Sequence, residues 1–227
     1  MNKKTVILVL RSGGDFSFRD VELLAYHLHK HWDGNDKLQV ICVWDKIKKE
    51  TVLSFCTLIP MPYIEWKGWW SKMNLFSPQL DKYRPFLYLD LDTAVVGGFH
   101  SLFQVGERRG FVGLWDFGKR GGFASGIMYF PKREENINAI WDTWILNPNK
   151  FMRIYRGDQN FISNFIKSIT YWQNEMNEIC SFKMRGADHS WLHKKLEGVY
   201  VICFHGKPRI FEAAKTVNWV KEYVQCV

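Results

Sequence analysis

Stretches of apolar residues, separated by short polar segments, mark the secondary structure of this chain. Thr5–Leu10 (TVILVL) and Leu38–Trp44 (LQVICVW) are nearly continuous apolar runs, which is typical of parallel strands buried on both faces. Between them, Asp20–Trp32 carries apolar residues at helical spacing, and Gly34 follows as a stop signal. The order strand, helix, strand predicts a parallel sheet of the nucleotide-binding type.

The rest of the chain continues this alternation. We predict further strands at Phe86–Leu91, Phe111–Leu114, Gly126–Phe130 and Val199–Phe204. We predict helices at Trp69–Phe76, Asn136–Leu146, Gln159–Ile169 and Phe211–Tyr223. The prolines of Thr57–Trp66 favour an extended connection there. Since the sequence contains no internal repeat and no linker, we expect one α/β domain over residues 1–227.

Composition and charge indicate a well-packed protein with anionic ligands. Of the 227 residues, 47% are apolar and 24% are charged, so the chain can bury a sizeable core. The net charge of +8 favours phosphate-bearing molecules, anionic lipid or nucleic acid. Because the basic residues are dispersed, with small clusters at 46–49 and 107–109, we expect no nucleic-acid partner. We expect membrane contact to be peripheral at most.

The cysteines and the N-terminus indicate a reducing compartment. The number of cysteines, five, is odd, and no pair has CxxC spacing, so neither a disulfide framework nor a zinc site is predicted. The N-terminus has no signal-peptide cleavage site, and its apolar run is too short to span a bilayer. We therefore expect a cytoplasmic protein; the alternatives are the cytoplasmic face of a membrane and, if the chain is viral, the host cytoplasm.

Two aspartates lie at the end of the strand predicted at Phe86–Leu91. Asp90 and Asp92, in YLDLDTAVVGG, are two residues apart, so both carboxylates point to one side of an extended segment. Ligand sites in α/β sheets form at the carboxyl ends of strands, and paired carboxylates suit Mg²⁺ or Mn²⁺ completed by substrate phosphates. Taken alone, the pair is also explained by a turn that ends the strand.

A second set of candidate ligands follows the last predicted strand, in FHGKPR (204–209). His205 offers an imidazole to a metal such as Mn²⁺, and Lys207 places a positive charge near a phosphate. Gly206 lets the backbone come close to a ligand. The alternative is a surface turn that contains an ordinary histidine.

Further polar groups follow strand ends or open a helix. In GDQNF (157–161), Asp158 serves either as a helix N-cap or, with Gln159, as a hydrogen-bond partner for sugar hydroxyls. LRSGG (10–14) suits contact with a nucleotide, although it is neither a GxGxxG fingerprint nor a Walker loop. Lys72 of GWWSK either contacts a ligand or is a solvated helix residue. The candidates outside the two motifs above are Arg11, Ser12, Gly13, Asp45, Lys72, Ser125, Asp158 and Gln159.

In this order, YLDLDTAVVG, FASGIM, GDQNF and FHGKPR resemble the metal-dependent GT-A glycosyltransferases, which use nucleotide sugars. They look most like the family 8 type, with its DxD, (N/S)xG, DQ and HGxxKP features. The wider string is also similar to small bacterial and large-virus glycosyltransferase sequences, over Val6 to Trp219. Six motifs in register are specific, whereas each alone is weak. The chain departs from family 8 in its short HGKP segment, in Ser125 where Asn is frequent, and in RIFE after Pro208.

The resemblance implies a GT-A fold, with a mixed, mostly parallel sheet flanked by helices. The metal ligands that it implies, for Mn²⁺ or Mg²⁺, are Asp90, Asp92 and His205. The residues that it implies around the nucleotide sugar are Arg11, Ser12, Gly13, Asp45, Lys72, Asp90, Leu91, Ser125, Gly206 and Lys207. The catalytic residues that it implies are Asp158, Gln159 and Lys207, of which Lys207 would join the metal in stabilising the leaving nucleoside diphosphate.

The expected reaction moves a sugar from a nucleotide sugar, with UDP as the expected nucleotide, to a glycan or other hydroxyl acceptor. The DQ and HGKP features favour retention of configuration; an inverting enzyme would need a carboxylate base, for which Asp116, Asp158 and Asp188 are candidates. One alternative is a sugar-phosphate nucleotidyltransferase, although RSGGDFSFR lacks the longer glycine-rich loop of those enzymes. Another is a non-catalytic, basic module that binds nucleic acid or glycan.

Overall fold

The computed structural model describes residues 3–46, 51–119, 121–132, 134–166, 168–183 and 198–226. The strands in these ranges are β1 (Lys3–Leu10), β2 (Lys37–Trp44), β3 (Thr57–Pro60), β4 (Phe86–Leu89), β5 (Thr93–Val95), β6 (Val112–Trp115), β7 (Phe123–Phe130), β8 (Thr170–Tyr171), β9 (Ile179–Ser181) and β10 (Val201–Cys203). The α-helices are α1 (Phe18–Lys30), α2 (His100–Arg109), α3 (Glu135–Leu146), α4 (Pro148–Ile154), α5 (Asp158–Phe165), α6 (Trp172–Glu175), α7 (Ile210–Ala213) and α8 (Asn218–Val224). Two 3₁₀ helices cover Gly68–Phe76 and Pro78–Tyr83.

The larger sheet has the strand order β3-β2-β1-β4-β7-β6-β8 among the described residues. Strand β7 is antiparallel to its neighbours β4 and β6, and the other adjacent pairs are parallel. The prediction of a mixed, mostly parallel α/β sheet is therefore confirmed. The expected helix-flanked arrangement is also present, because helices pack on both faces of this sheet.

Strand β1 is apolar throughout because both of its faces are covered. Alternate residues of a strand point to opposite faces, so Val6 and Leu8 join the layer that contains α1 and α2. Ile7 and Val9 join the opposite layer, with residues of the 3₁₀ helix Gly68–Phe76 and of α3 and α5. A continuous apolar run, and not an alternating one, is the pattern that such burial requires.

A smaller sheet, β5-β10-β9, positions the segment around Asp92 next to the segment around His205. Strand β5 begins directly after Asp92, β10 ends just before Phe204, and Thr93 pairs with Cys203 in antiparallel register. The backbone N–H of Phe204 donates to the carbonyl oxygen of Asp92 at 2.8 Å. Two motifs more than a hundred residues apart in sequence therefore meet at one point.

Several predicted elements differ in the structure. The helix predicted at Gln159–Ile169 begins at Asp158 and already ends at Phe165. The strand predicted at Phe86–Leu91 ends at Leu89, because a turn closed by the Thr93 N–H on the Asp90 carbonyl begins there. The segment predicted as one helix at Phe211–Tyr223 forms the short helices α7 and α8, separated by a turn around the β-branched residues 216 and 217. The helix predicted at Trp69–Phe76 is a 3₁₀ helix. Within the described ranges, no helix is long and apolar enough to cross a bilayer.

Candidate functional site

The DxD turn lies at the carboxyl end of the central strand β4, where the two sheets meet. Asp90 continues the pairing of β4 with β7, since its N–H donates to the carbonyl of Gly126 at 2.8 Å. Asp92 leads into β5 of the smaller sheet. The sequence allowed either a turn or a ligand site at this segment. The structure contains a turn, and this turn places both carboxylates on the linings of cavities, so the two interpretations apply to the same segment.

Two cavities adjoin at this turn, and Asp90 and Asp92 line both. The larger cavity, here called the donor cleft after the donor substrate that the resemblance implies, has a volume of about 630 Å³ and is bounded by residues 11–16, by residues 67–69, 71 and 72, and by Arg209. The smaller cavity has a volume of about 300 Å³, and its lining includes Asp116, Gln159 and His205. Two ligands can therefore approach the aspartates from different sides.

Asp90 is held by a chain of hydrogen bonds that leads into the core. The ammonium group of Lys72 donates to Asp90 Oδ2 at 2.7 Å and to the Ser125 hydroxyl at 3.2 Å. Ser125 in turn donates to Asp158 Oδ2 at 2.6 Å, and the Tyr88 hydroxyl donates to Asp90 Oδ1. Burial alone would lower the pKa of Lys72, but Asp90 and Asp158 outweigh it and raise that pKa. The cation thus stays charged between the partly exposed Asp90 and the buried Asp158.

Asp158 and Ser125 lie beneath the cavities and do not line them. Asp158 is 3% exposed and Ser125 is fully buried. Burial raises the pKa of Asp158, while Lys72 and the hydrogen bond from Ser125 act in the opposite direction. Both side chains therefore fix the charge and position of Lys72, which does line the donor cleft.

Asp92 faces a cation that the sequence did not single out. Nη1 of Arg209 donates to Asp92 Oδ2, and Nη2 of Arg209 is 2.9 Å from Oδ2 of Asp15. Burial and the neighbouring Asp90 raise the pKa of Asp92 to about 6, against the opposing effects of Arg209 and Lys72. The two aspartates repel each other, and positive charge at this position stabilises them.

The loop after β1 forms one wall of the donor cleft. Asp45, at the end of β2, accepts hydrogen bonds from the Arg11 guanidinium and from the Ser12 N–H, the latter at 2.8 Å. The Trp44 indole donates to the Ser12 hydroxyl at 3.0 Å. Arg11, Ser12 and Gly13 line the cleft, with Gly13 at φ +78°, whereas Asp45 lies behind them and orients them.

His205 lies on the wall of the smaller cavity. Its Nε2 is 2.6 Å from the Ser181 hydroxyl, and its ring stacks on Phe117 with ring centres 5.5 Å apart. Burial and the neighbouring Lys183 lower the pKa of His205, so the imidazole is neutral near pH 7, as a metal ligand must be. Gly206 adopts φ +77°, a conformation that favours glycine.

The chemistry of Asp90, Asp92 and His205 fits a divalent ion, because two carboxylates and a neutral imidazole suit Mn²⁺ and all three side chains border the smaller cavity. Both carboxylates, however, already form ion pairs within the protein: Asp90 with Lys72, and Asp92 with Arg209. Within the described residues, no three His, Cys, Asp or Glu side chains come together closely enough to hold a metal ion. Ion binding here would require Asp92 to exchange its Arg209 partner.

The remaining predicted residues are distributed unevenly. Leu91 lines the donor cleft, and Gln159 and Gly206 line the smaller cavity. Lys207 points to solvent, with its side chain 78% exposed and its ammonium 3.4 Å from Glu212, and neither cavity includes it. Asp188 lies outside the described residues.

Several residues of the donor cleft were not predicted, among them Trp69, Tyr88 and Arg209. Trp69 is 58% exposed, while the adjacent Trp70 is 8% exposed and stacks on Trp144. In sequence the two tryptophans are equivalent, so only the packing separates them. Arg209 follows HGKP, and the one available signal was its position in the segment that departs from the family pattern.

The fold is shared with solved glycosyltransferase structures. GlyE of Streptococcus pneumoniae TIGR4 is 17% identical with a TM-score of 0.66; the match covers 99% of this chain but only 60% of the GlyE chain. The galactosyltransferase LgtC, solved with donor and acceptor sugar analogues, is 11% identical with a TM-score of 0.63, and 97% of this chain matches 94% of it. Mouse xyloside xylosyltransferase 1 is 12% identical with a TM-score of 0.52, over 92% and 99% of the two chains.

These likenesses establish the GT-A fold that the motifs implied. No protein-family model matches the chain, and no curated protein matches its sequence. The activity, the donor and the acceptor must therefore be inferred from the residues of the candidate site.

Proposed function

We propose that this chain is a glycosyltransferase that moves a sugar from a nucleotide sugar, with UDP as its nucleotide, to a hydroxyl group of a glycan. The observation that carries this proposal is the pair of cavities that share Asp90 and Asp92. A cleft of about 630 Å³ suits a nucleotide sugar, and a neighbouring cavity suits an acceptor. The GT-A fold and the order of the motifs support the same reaction.

In this reaction the bond between the sugar and the diphosphate breaks, and negative charge develops on the leaving phosphate. Cations fixed before the reaction stabilise that charge without reorganisation. Lys72 is such a cation, since Asp90 and Ser125 hold its ammonium group. Asp90, Asp92 and His205 would hold a divalent ion, which supplies further positive charge to the leaving group.

We propose retention of configuration. The carboxylate of the GDQ segment, Asp158, is sealed beneath Ser125 and has no direct access to an acceptor. Among the described residues, Asp116 is the candidate base that lines the smaller cavity. The anomeric configuration of the product, followed by proton NMR, tests this: retention supports the proposal, and inversion that depends on Asp116 contradicts it.

The donor site is tested by calorimetry with a panel of nucleoside diphosphates, in Mn²⁺ and in EDTA, with a single-stranded oligonucleotide as comparison. We expect one diphosphate, UDP, to bind in Mn²⁺ and to bind much more weakly in EDTA. Equal affinity for the diphosphate in Mn²⁺ and in EDTA would refute the proposed role of the metal ion in donor binding. Binding of the oligonucleotide without binding of any diphosphate would favour a nucleic-acid module and refute the transferase.

A further inference from the structure

Two cations follow the HGKP histidine, and they point in opposite directions. Lys207 extends into solvent beside Glu212, whereas Arg209 turns inward and lines the donor cleft, with its side chain 24% exposed. The resemblance to known families assigned the leaving group to Lys207. In the structure, by contrast, Arg209 lies at the donor cleft and Lys207 lies at the protein surface.

The guanidinium of Arg209 is fixed in place by contacts on several sides. It lies 4.7 Å from the centre of the Phe16 ring and forms ion pairs with Asp15 and Asp92, and the contacts with Phe16 and Asp15 do not depend on Asp92. The backbone N–H of Arg209 donates to Glu212 at 2.8 Å, which anchors the residue at the start of α7. A planar cation stacked on an aromatic ring is weakly hydrated and keeps its orientation.

The charges around Arg209 indicate the kind of ligand that it would bind. The described residues that line the donor cleft include four cations, Arg11, Lys67, Lys72 and Arg209, and three carboxylates, Asp15, Asp90 and Asp92. Nε of Arg209 is buried and has no hydrogen-bond partner among the described residues, so the donors of this side chain are incompletely used. Arginine binds phosphate oxygens through two parallel hydrogen bonds, a geometry that a lysine cannot offer.

We propose that Arg209, and not Lys207, is the side chain that binds the diphosphate of the donor. This rests on the proposed function, since it takes a nucleoside diphosphate as the ligand of the donor cleft. Arg209 reaches the cleft from the loop after β10 and meets the loop after β1 there, at Asp15 and Phe16, so a diphosphate bound beside the guanidinium lies next to both loops. In this chain Lys207 of HGKP is exposed to solvent, and Arg209, two residues later, lies at the cleft instead.

The test compares Arg209→Gln with Lys207→Gln, which removes the same charge two residues away in the same loop. Titration calorimetry in Mn²⁺ measures the Kd of the nucleoside diphosphate that binds the wild-type protein most tightly, and of its nucleoside without phosphates. We expect Arg209→Gln to weaken diphosphate binding by roughly 10- to 100-fold and to change nucleoside binding by less than about 2-fold. We expect Lys207→Gln to leave both constants within about 2-fold of wild type. Arg209→Lys, which keeps the charge, should lose about 3- to 10-fold.

Unchanged diphosphate binding in Arg209→Gln, or a larger loss in Lys207→Gln, would overturn the proposal. Equal losses for diphosphate and nucleoside would also overturn it, because they would indicate a merely structural role. If Arg209→Gln does not fold, Arg209→Lys carries the test, and wild-type affinity there would count against two-point binding by arginine. A wild-type protein that binds none of the diphosphates would refute the donor site itself, which is a different outcome.

Discussion

The surroundings of His27 predict how the free energy of unfolding depends on pH. The residue lies on α1 and is 2% exposed, and its ring stacks on Tyr223 of α8 with centres 3.6 Å apart. Nε2 donates to the Tyr223 carbonyl at 2.8 Å, and Nδ1 is buried with no hydrogen-bond partner among the described residues. The Tyr223 hydroxyl accepts from the N–H of Val95 in β5, so this contact connects α1 and α8 to the strand after the DxD turn.

Protonation of His27 would place a charge and an unpaired N–H in this packed position. Burial, with smaller contributions from His31 and Lys30 and against the hydrogen bond to the Tyr223 carbonyl, lowers its pKa from 6.5 to about 4. The unfolded chain therefore takes up the proton first as the pH falls, and stability is lost between pH 6.5 and about pH 4. The full loss is about 3 kcal/mol, of which about 2 kcal/mol falls between about pH 7 and about pH 5.

Urea unfolding at these two pH values measures the loss. We expect His27→Gln, which keeps a neutral donor for the Tyr223 carbonyl, to lose about 2 kcal/mol less than wild type on going to the lower pH. The matched control is His29→Gln, an exposed residue of the same helix, which should retain the wild-type dependence. If wild type and His27→Gln lose the same free energy of unfolding, the burial of His27 does not govern its titration and the reasoning is refuted.

Two further predictions concern residues in and behind the walls of the donor cleft. Trp70→Ala should lower the free energy of unfolding by about 3–5 kcal/mol, because it removes a buried ring that stacks on Trp144, while Trp69→Ala should cost less than about 1 kcal/mol; equal losses in urea unfolding would contradict this assignment. Asp45→Asn should weaken binding of a nucleoside diphosphate by about 10-fold in calorimetry, because Arg11 loses its fixed orientation. Wild-type affinity in Asp45→Asn would show that Arg11 does not contact the ligand.

The larger sheet was predictable because its inner strands are buried on both faces. A continuous apolar run such as that of β1 carries its own signal, independent of its neighbours. The strands β5 and β9 have three residues each and exist through their pairing with β10, so no local pattern announces them. Helix α2 was also not predicted, since its apolar residues are few and a glycine, Gly106, lies within it against Tyr129.

For the candidate site, the sequence predicted which residues take part more readily than it predicted where their side chains lie in the structure. The sequence indicated Asp90, Asp92 and His205 because strand ends collect at one edge of a sheet. It could not indicate that Ser125 and Asp158 lie beneath Lys72, since that depends on how α5 packs on β7. The directions of the side chains in the loop after β10 depend on the loop conformation, which no periodicity determines.

Turnover of nucleotide sugars tests the central claim most directly. The wild-type protein, supplied with Mn²⁺ and a panel of nucleotide sugars but no acceptor, should slowly release the nucleoside diphosphate from one donor. Asp92→Asn should lose this release while its circular dichroism and thermal unfolding show a folded protein. Full turnover in Asp92→Asn would contradict the role given to the DxD turn, and release from no donor at all would contradict the assignment of the chain as a glycosyltransferase.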